Sequence, residues 1–113
     1  MRTLTHADAM AAACLVRGLP ACERRACLAR ILDRADAADR FRKRTGRVHP
    51  LWGDGSLMSA ALQAGAVLHE PFLSDPAYLE ALATVFEALL ERRMRTATVC
   101  GIVAFPAGDP VLS

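Results

Sequence analysis

Asparagine is missing from these 113 residues, lysine appears once against thirteen arginines, and the aromatics amount to one tryptophan, one tyrosine and four phenylalanines. Few aromatic side chains and abundant alanine argue against a sheet and for helices that approach one another closely. The swing from lysine to arginine, with no asparagine, is the mark of a GC-rich coding sequence, so arginine content alone names no ligand. A formal net charge of only +2 gives no global field to attract nucleic acid or a membrane surface, and any such case must rest on local clustering.

Other absences narrow the chemistry. Cys14, Cys22, Cys27 and Cys100 include no CxxC pair, and no histidine lies close enough in sequence to complete a zinc pattern. They read as small buried hydrophobes kept reduced in a cytoplasm, with neither metal nor cofactor implied. His6 and Asp8 interrupt the apolar core that a signal peptide needs, and no run reaches the roughly 18 apolar residues of a membrane span. The expectation is a soluble cytoplasmic protein of one domain, long enough for a single core, with no membrane partner.

What is present reads as helix. Thr5-His6-Ala7-Asp8 has the form of a helix start, and Gly18 with Pro20 stops a first helix over Thr5 to Arg17, its inner face running through Met10, Cys14 and Leu15 or Arg17. From Pro20 a longer helix carries Cys27, Leu28, Ile31, Leu32, Ala35, Ala38 and Phe41 at helical spacing as far as Gly46. Asp33, Asp36 and Asp39 alternate with Arg30, Arg34 and Arg40 on what reads as its solvated face, pairing for example Asp36 with Arg40. Ser56 caps a third helix with Leu57, Ala60, Ala61, Ala64 and Val67 inside, weakened at Gly65 and ended by His69-Glu70-Pro71. Ser74-Asp75-Pro76 opens a fourth, to Arg95, with a broad stripe of Tyr78, Leu79, Leu82, Val85 or Phe86, Leu89 and Leu90.

The predicted fold is therefore all-α: a compact bundle of about four helices over residues 1–95, with a long ordered crossover loop between helices two and three. Residues 96–113 form an irregular apolar tail, loosely docked or disordered, in which Thr98 to Phe105 reads as extended. Monomer and homodimer both remain open.

The crossover holds the most particular chemistry. Arg42, Lys43 and Arg44 crowd the end of helix two, where cations complement the helix dipole. Gly46 caps that helix, Pro50 forces His49 toward extended geometry, and Trp52-Gly53-Asp54-Gly55-Ser56 leads into helix three. Together with Ala37-Ala38-Asp39-Arg40 and Asp75-Pro76-Ala77-Tyr78-Leu79, the run Arg44-Thr45-Gly46-Arg47-Val48-His49-Pro50-Leu51-Trp52-Gly53-Asp54-Gly55-Ser56-Leu57 resembles a small uncharacterised family of bacterial helical proteins, a domain of unknown function, over roughly Asp33 to Arg93. The resemblance implies a helical fold and no established activity.

Two roles suit the loop. In the structural one, Trp52 pins the crossover over the open end of the bundle. Asp54 then closes a turn between Gly53 and Gly55 beside the Ser56 cap, and Arg47 or His49 bonds Asp54. In the functional one, Arg42, Lys43, Arg44, Arg47, His49 and Trp52 form a contact face, since arginine and tryptophan dominate interface hot spots. That predicts a non-enzymatic interaction module with a protein partner. The alternative is a small nucleic-acid-binding accessory protein using Arg40, the basic helix end and Trp52, with free N–H groups at Gly53 to Ser56 receiving an anion. His49, Asp54 and Ser56 lie too close on one loop, with no oxyanion element, to imply catalysis.

Overall fold

The computed structural model describes residues 1–66 and 73–99, which form four α-helices: α1 (His6–Arg17), α2 (Ala21–Thr45), α3 (Leu57–Gln63) and α4 (Pro76–Val99). Among the described residues there is no strand, only an isolated antiparallel bridge from His49 to Gly53. The all-α bundle expected from composition is the fold observed.

Helix α1 is the hub, packed on α4, α3 and α2. Its expected inner face through Met10 and Cys14 is half-buried, whereas Ala9, Ala11, Ala12, Ala13 and Val16 are inaccessible. Three consecutive buried alanines mean that neighbours crowd the helix from several sides, and the absence of bulk at those positions is what admits them. Thr5 and Asp8 form a reciprocal capping box at its start.

Helix α2 keeps the predicted stripe, with Cys27, Leu28, Ile31, Leu32, Ala35 and Ala38 buried, and ends at Gly46 with φ +74. Its acidic row is a solvated face only in part, exposed at Asp33 and progressively buried at Asp36 and Asp39. Asp36 binds Arg92 of α4 at 2.6 Å and the Met1 ammonium at 2.7 Å rather than Arg40, Asp33 meets Arg92 at 2.8 Å, and Asp39 is buried. The reason is register: Asp39 follows Leu32 by seven residues and Ala35 by four, so it lies on the buried face.

Helix α3 is shorter than expected. Gly65 does not merely weaken it but ends it, at φ +109, with the Ala66 N–H donating back to the Ala61 carbonyl. The expected stop at His69-Glu70-Pro71, and the inward Val67, lie outside the described residues.

Helix α4 buries Tyr78, Ala81, Val85 and Ala88, so Val85 and not Phe86 enters the core. Leu79, Phe86 and Leu90 are exposed, Leu90 by 64%. The apolar residues wrap further around the helix than its neighbours reach. Helix α4 also runs to Val99, four residues past Arg95, so Thr98 and Val99 are helical and not extended. The remainder of the expected tail lies outside the described residues. Of the cysteines expected inside, Cys27 is buried, Cys14 half-buried and Cys22 exposed; Cys100 lies outside the described residues.

Candidate functional site

The crossover from Gly46 to Ser56 divides at Trp52. Its second half is locked to the bundle. Gly55, at φ +95, is pressed so closely on α2 that a Cβ there would stand 2.8 Å from both Cα and Cβ of Asp39. Gly53, at φ +87, faces Ser59, whose Cβ would lie 2.7 Å from any side chain placed there. Both positions combine a left-handed backbone with close approach, and only glycine meets the two demands.

Polar groups finish the lock. Asp54 accepts from the Ser56 N–H at 3.0 Å and meets the Arg2 guanidinium at 3.2 Å, while the Arg2 N–H donates to the Gly55 carbonyl at 2.9 Å. The Ser56 N–H and hydroxyl, aided by the charge of Arg2, hold the Asp54 carboxyl below its ordinary pKa. The predicted bond from Arg47 or His49 to Asp54 is not made: Arg2, far away in sequence, takes that place.

Two residues outside the loop matter as much as those in it. Asp8 is buried and uses both oxygens, one accepting from the Thr5 N–H at 2.9 Å and the other from the Met58 N–H of α3 at 3.0 Å. One carboxylate thus caps two helices. Asp39, 2% exposed, receives Arg42 at 2.9 Å, Lys43 at 3.1 Å and the Met1 ammonium at 3.2 Å. Burial alone would raise its pKa, but these three donors outweigh that effect and hold the carboxyl well below the usual range. Asp36 behaves likewise: burial is outweighed by the Met1 ammonium and Arg92. Register could have marked Asp39 in the sequence; nothing local marks the reach of Asp8 to α3.

The first half of the loop is built differently. His49 and Gly53 exchange backbone hydrogen bonds at 3.0 and 3.2 Å, closing a five-residue loop. Inside it, His49 Nδ1 accepts from the N–H groups of both Leu51 and Trp52 at 3.1 Å. The His49 ring lies flat on Trp52, centroids 4.7 Å apart and planes 5° apart, and meets the Phe41 ring edge-on at 5.0 Å. Trp52 is half-buried in this stack.

Around the stack, Arg44, Arg47, Val48, Pro50 and Leu51 are exposed, Val48 by 59% and Leu51 by 66%. Of the six proposed contact residues, His49 and Trp52 are brought into ring contact, and Arg42 and Lys43 are joined through Asp39. Arg44 and Arg47 make no ion pair or side-chain hydrogen bond among the described residues, and neither does Arg40 one turn before Arg44.

Of the N–H groups suggested as an anion cradle, Gly53 donates to the His49 carbonyl at 3.2 Å, Asp54 to the Ser59 hydroxyl at 3.3 Å and Ser56 to Asp54 at 3.0 Å. His49, Asp54 and Ser56 each serve the loop: His49 accepts from Leu51 and Trp52, Asp54 from the Ser56 N–H, and the Ser56 hydroxyl from Ser59. Clefts of about 400 Å³ beside Arg25, Leu32 and Ala88, and about 240 Å³ beside Met1, Leu4 and Leu89, flank α4 and include no loop residue. Among the described residues no three His, Cys, Asp or Glu side chains gather as a metal site, and no helix is long and apolar enough to cross a membrane.

A family model described as Domain of unknown function (DUF7742) matches residues 2–89, and the chain belongs to that family. The matched region takes in the whole crossover and reaches into α4. No curated protein and no solved structure matches the chain.

Proposed function

We propose that this member of the DUF7742 family is a cytoplasmic, non-enzymatic protein-interaction module whose contact face is the first half of the crossover, Arg44 to Trp52. The observation that carries the reading is the exposed set of Arg44, Arg47, Val48 and Leu51 on a short loop already closed by His49 and Gly53. Folding makes no evident use of those four side chains, and exposed apolar and arginine groups on a rigid support are the ingredients of a protein interface.

Nucleic-acid binding draws less support. Arg42 and Lys43 are turned to Asp39, the backbone donors near Ser56 are occupied, and one face of Trp52 is covered by His49. Catalysis draws none, because each candidate acid, base or nucleophile is engaged in loop closure or helix capping.

The test is photocrosslinking in the native host. A crosslinking amino acid at Val48 should capture a discrete partner, and the same probe at Leu79 on the outer face of α4 should not. Capture abolished by Arg44→Ala with Arg47→Ala supports the reading. Equal capture from both positions, or none from Val48, removes it.

A further inference from the structure

We infer that the segment received by this face is an acidic protein segment carrying aliphatic anchors, with carboxylates meeting Arg44, Arg47 and Arg40 while its apolar side chains cover Val48 and Leu51; this rests on the interaction reading above. The argument begins with which charges are already answered. Asp39 binds Arg42 and Lys43, Asp54 binds Arg2, and Asp36 and Asp33 bind Arg92. Subtracting these pairs leaves three guanidinium groups beside the loop with no carboxylate partner among the described residues: Arg40 and Arg44, one turn apart on α2, and Arg47 just past its end.

A guanidinium offers paired N–H groups matched to a carboxylate or a phosphate. The neighbouring residues decide between them. Val48 and Leu51 are the large apolar groups that the loop exposes, and an aliphatic contact next to a phosphodiester backbone gains nothing, whereas an amphipathic peptide gains by burying it. A single-stranded nucleic acid would instead want open aromatic faces, and His49 already covers one face of Trp52. Cations flanking a small aliphatic patch are complementary to acids flanking aliphatic anchors.

The supporting surface is ready-made. The His49–Gly53 bridge and the two N–H bonds to His49 Nδ1 hold Leu51 on a closed loop, and the Gly55 contact with Asp39 ties that loop to α2. Binding therefore orders the partner segment more than the domain, which limits the entropic cost.

The experiment uses the full chain, isotope-labelled, titrated by NMR with synthetic 15-residue peptides and with a short single-stranded DNA. One peptide combines glutamates with leucines at helical spacing; its controls replace every glutamate by glutamine or every leucine by serine. The acidic apolar peptide should shift Val48, Leu51 and the Trp52 indole N–H, and each control should bind at least about tenfold more weakly. Arg44→Ala with Arg47→Ala should cost a similar factor while the remaining spectrum is kept. Equal binding of the three peptides, no binding by any of them, or tighter binding of the DNA at these residues overturns the inference. If the Val48 crosslink still captures a partner that the acidic peptide cannot displace, the inference falls and the interaction reading survives; if the crosslink captures nothing, that reading falls by itself.

Discussion

The two parts of the crossover adjoin in sequence and have opposite physics. From Gly53 to Ser56 the N–H groups of Gly53, Asp54 and Ser56 and the side chains of Asp54 and Ser56 have partners, and two glycines lie close against other side chains or backbone. From Arg44 to Leu51 most side chains are exposed, while His49 closes the loop and the Thr45 hydroxyl donates back to the Phe41 carbonyl. One contiguous motif thus contains a fastening and a display. Its specificity as a sequence pattern comes from both, so the pattern alone could not say which residues serve folding. Substitutions separate them, because the fastening should fail in stability and the display only in binding.

The largest loss is expected at Gly55. A methyl group there meets Asp39 backbone at 2.8 Å on a helix that cannot retreat, and φ +95 is strained for any other residue. Gly55→Ala should destabilise by about 3 kcal/mol or more in urea titration, adding overpacking to left-handed backbone strain. Gly53→Ala should also be costly, because rotation of Ser59 moves its Oγ but leaves its Cβ 2.7 Å from the new methyl group, on a backbone at φ +87. A Gly55→Ala protein as stable as the parent would mean that the loop does not rest on α2, and the division into halves would collapse.

Next comes Asp39. Asp39→Asn removes the charge that gathers Arg42, Lys43 and the Met1 ammonium, at a cost of about 2–4 kcal/mol, toward the lower end because Lys43 is itself well exposed. The same residue sets the acid response. Asp36, Asp39 and Asp54 are all held below their ordinary values. Their stabilisation is therefore complete above the unfolded-chain value of about 3.9 and is lost as pH falls through the lower folded values. Thermal midpoints measured downward from pH 5 should fall below about pH 4, and Asp39→Asn should make that fall shallower. An identical acid limb in the two proteins would remove Asp39 from the account.

His49 lies at the joint between the halves and should show an intermediate effect. His49→Ala deletes the ring that covers Trp52 and the acceptor for two backbone N–H groups. A loss of about 1–2 kcal/mol follows from the cap and the stack, together with a red shift of tryptophan emission as the ring becomes more solvated. If emission and stability both stay constant, the loop closes without this histidine.

How much of this was legible beforehand depends on whether the signal was local. Thr5 with Asp8, Gly46 and Ser56 announced their caps, because a cap is written within four residues. The stripe of α2 was readable for the same reason. The hub role of α1 was not, since a run of alanine fits any face and only the positions of other helices decide its burial. Likewise Leu79 and Leu90 satisfy the period of α4 yet stay exposed. Asp8, Asp39 and Asp54 each also take a partner remote in sequence, respectively the Met58 N–H, the Met1 ammonium and Arg2. Loop residues could therefore be named from the sequence, but which of them face solvent could not.

The smallest effect on stability is expected where the largest effect on binding is. Among the described residues Arg44 and Arg47 have no side-chain partner, and Leu51 is two-thirds exposed, so their replacement by alanine leaves no described buried group unpaired and opens no cavity. Thermal midpoints of Arg44→Ala, Arg47→Ala and Leu51→Ala should stay within about 2 °C of the parent. Arg42→Ala, two residues before Arg44 but bound to Asp39, should lower the midpoint measurably. That contrast between neighbouring arginines is the sharpest form of the comparison, because composition and position are matched and only the internal carboxylate differs. If Arg44→Ala destabilises as much as Arg42→Ala, the display is part of the fastening, and the free guanidinium groups have a folding role that leaves no surplus for a partner.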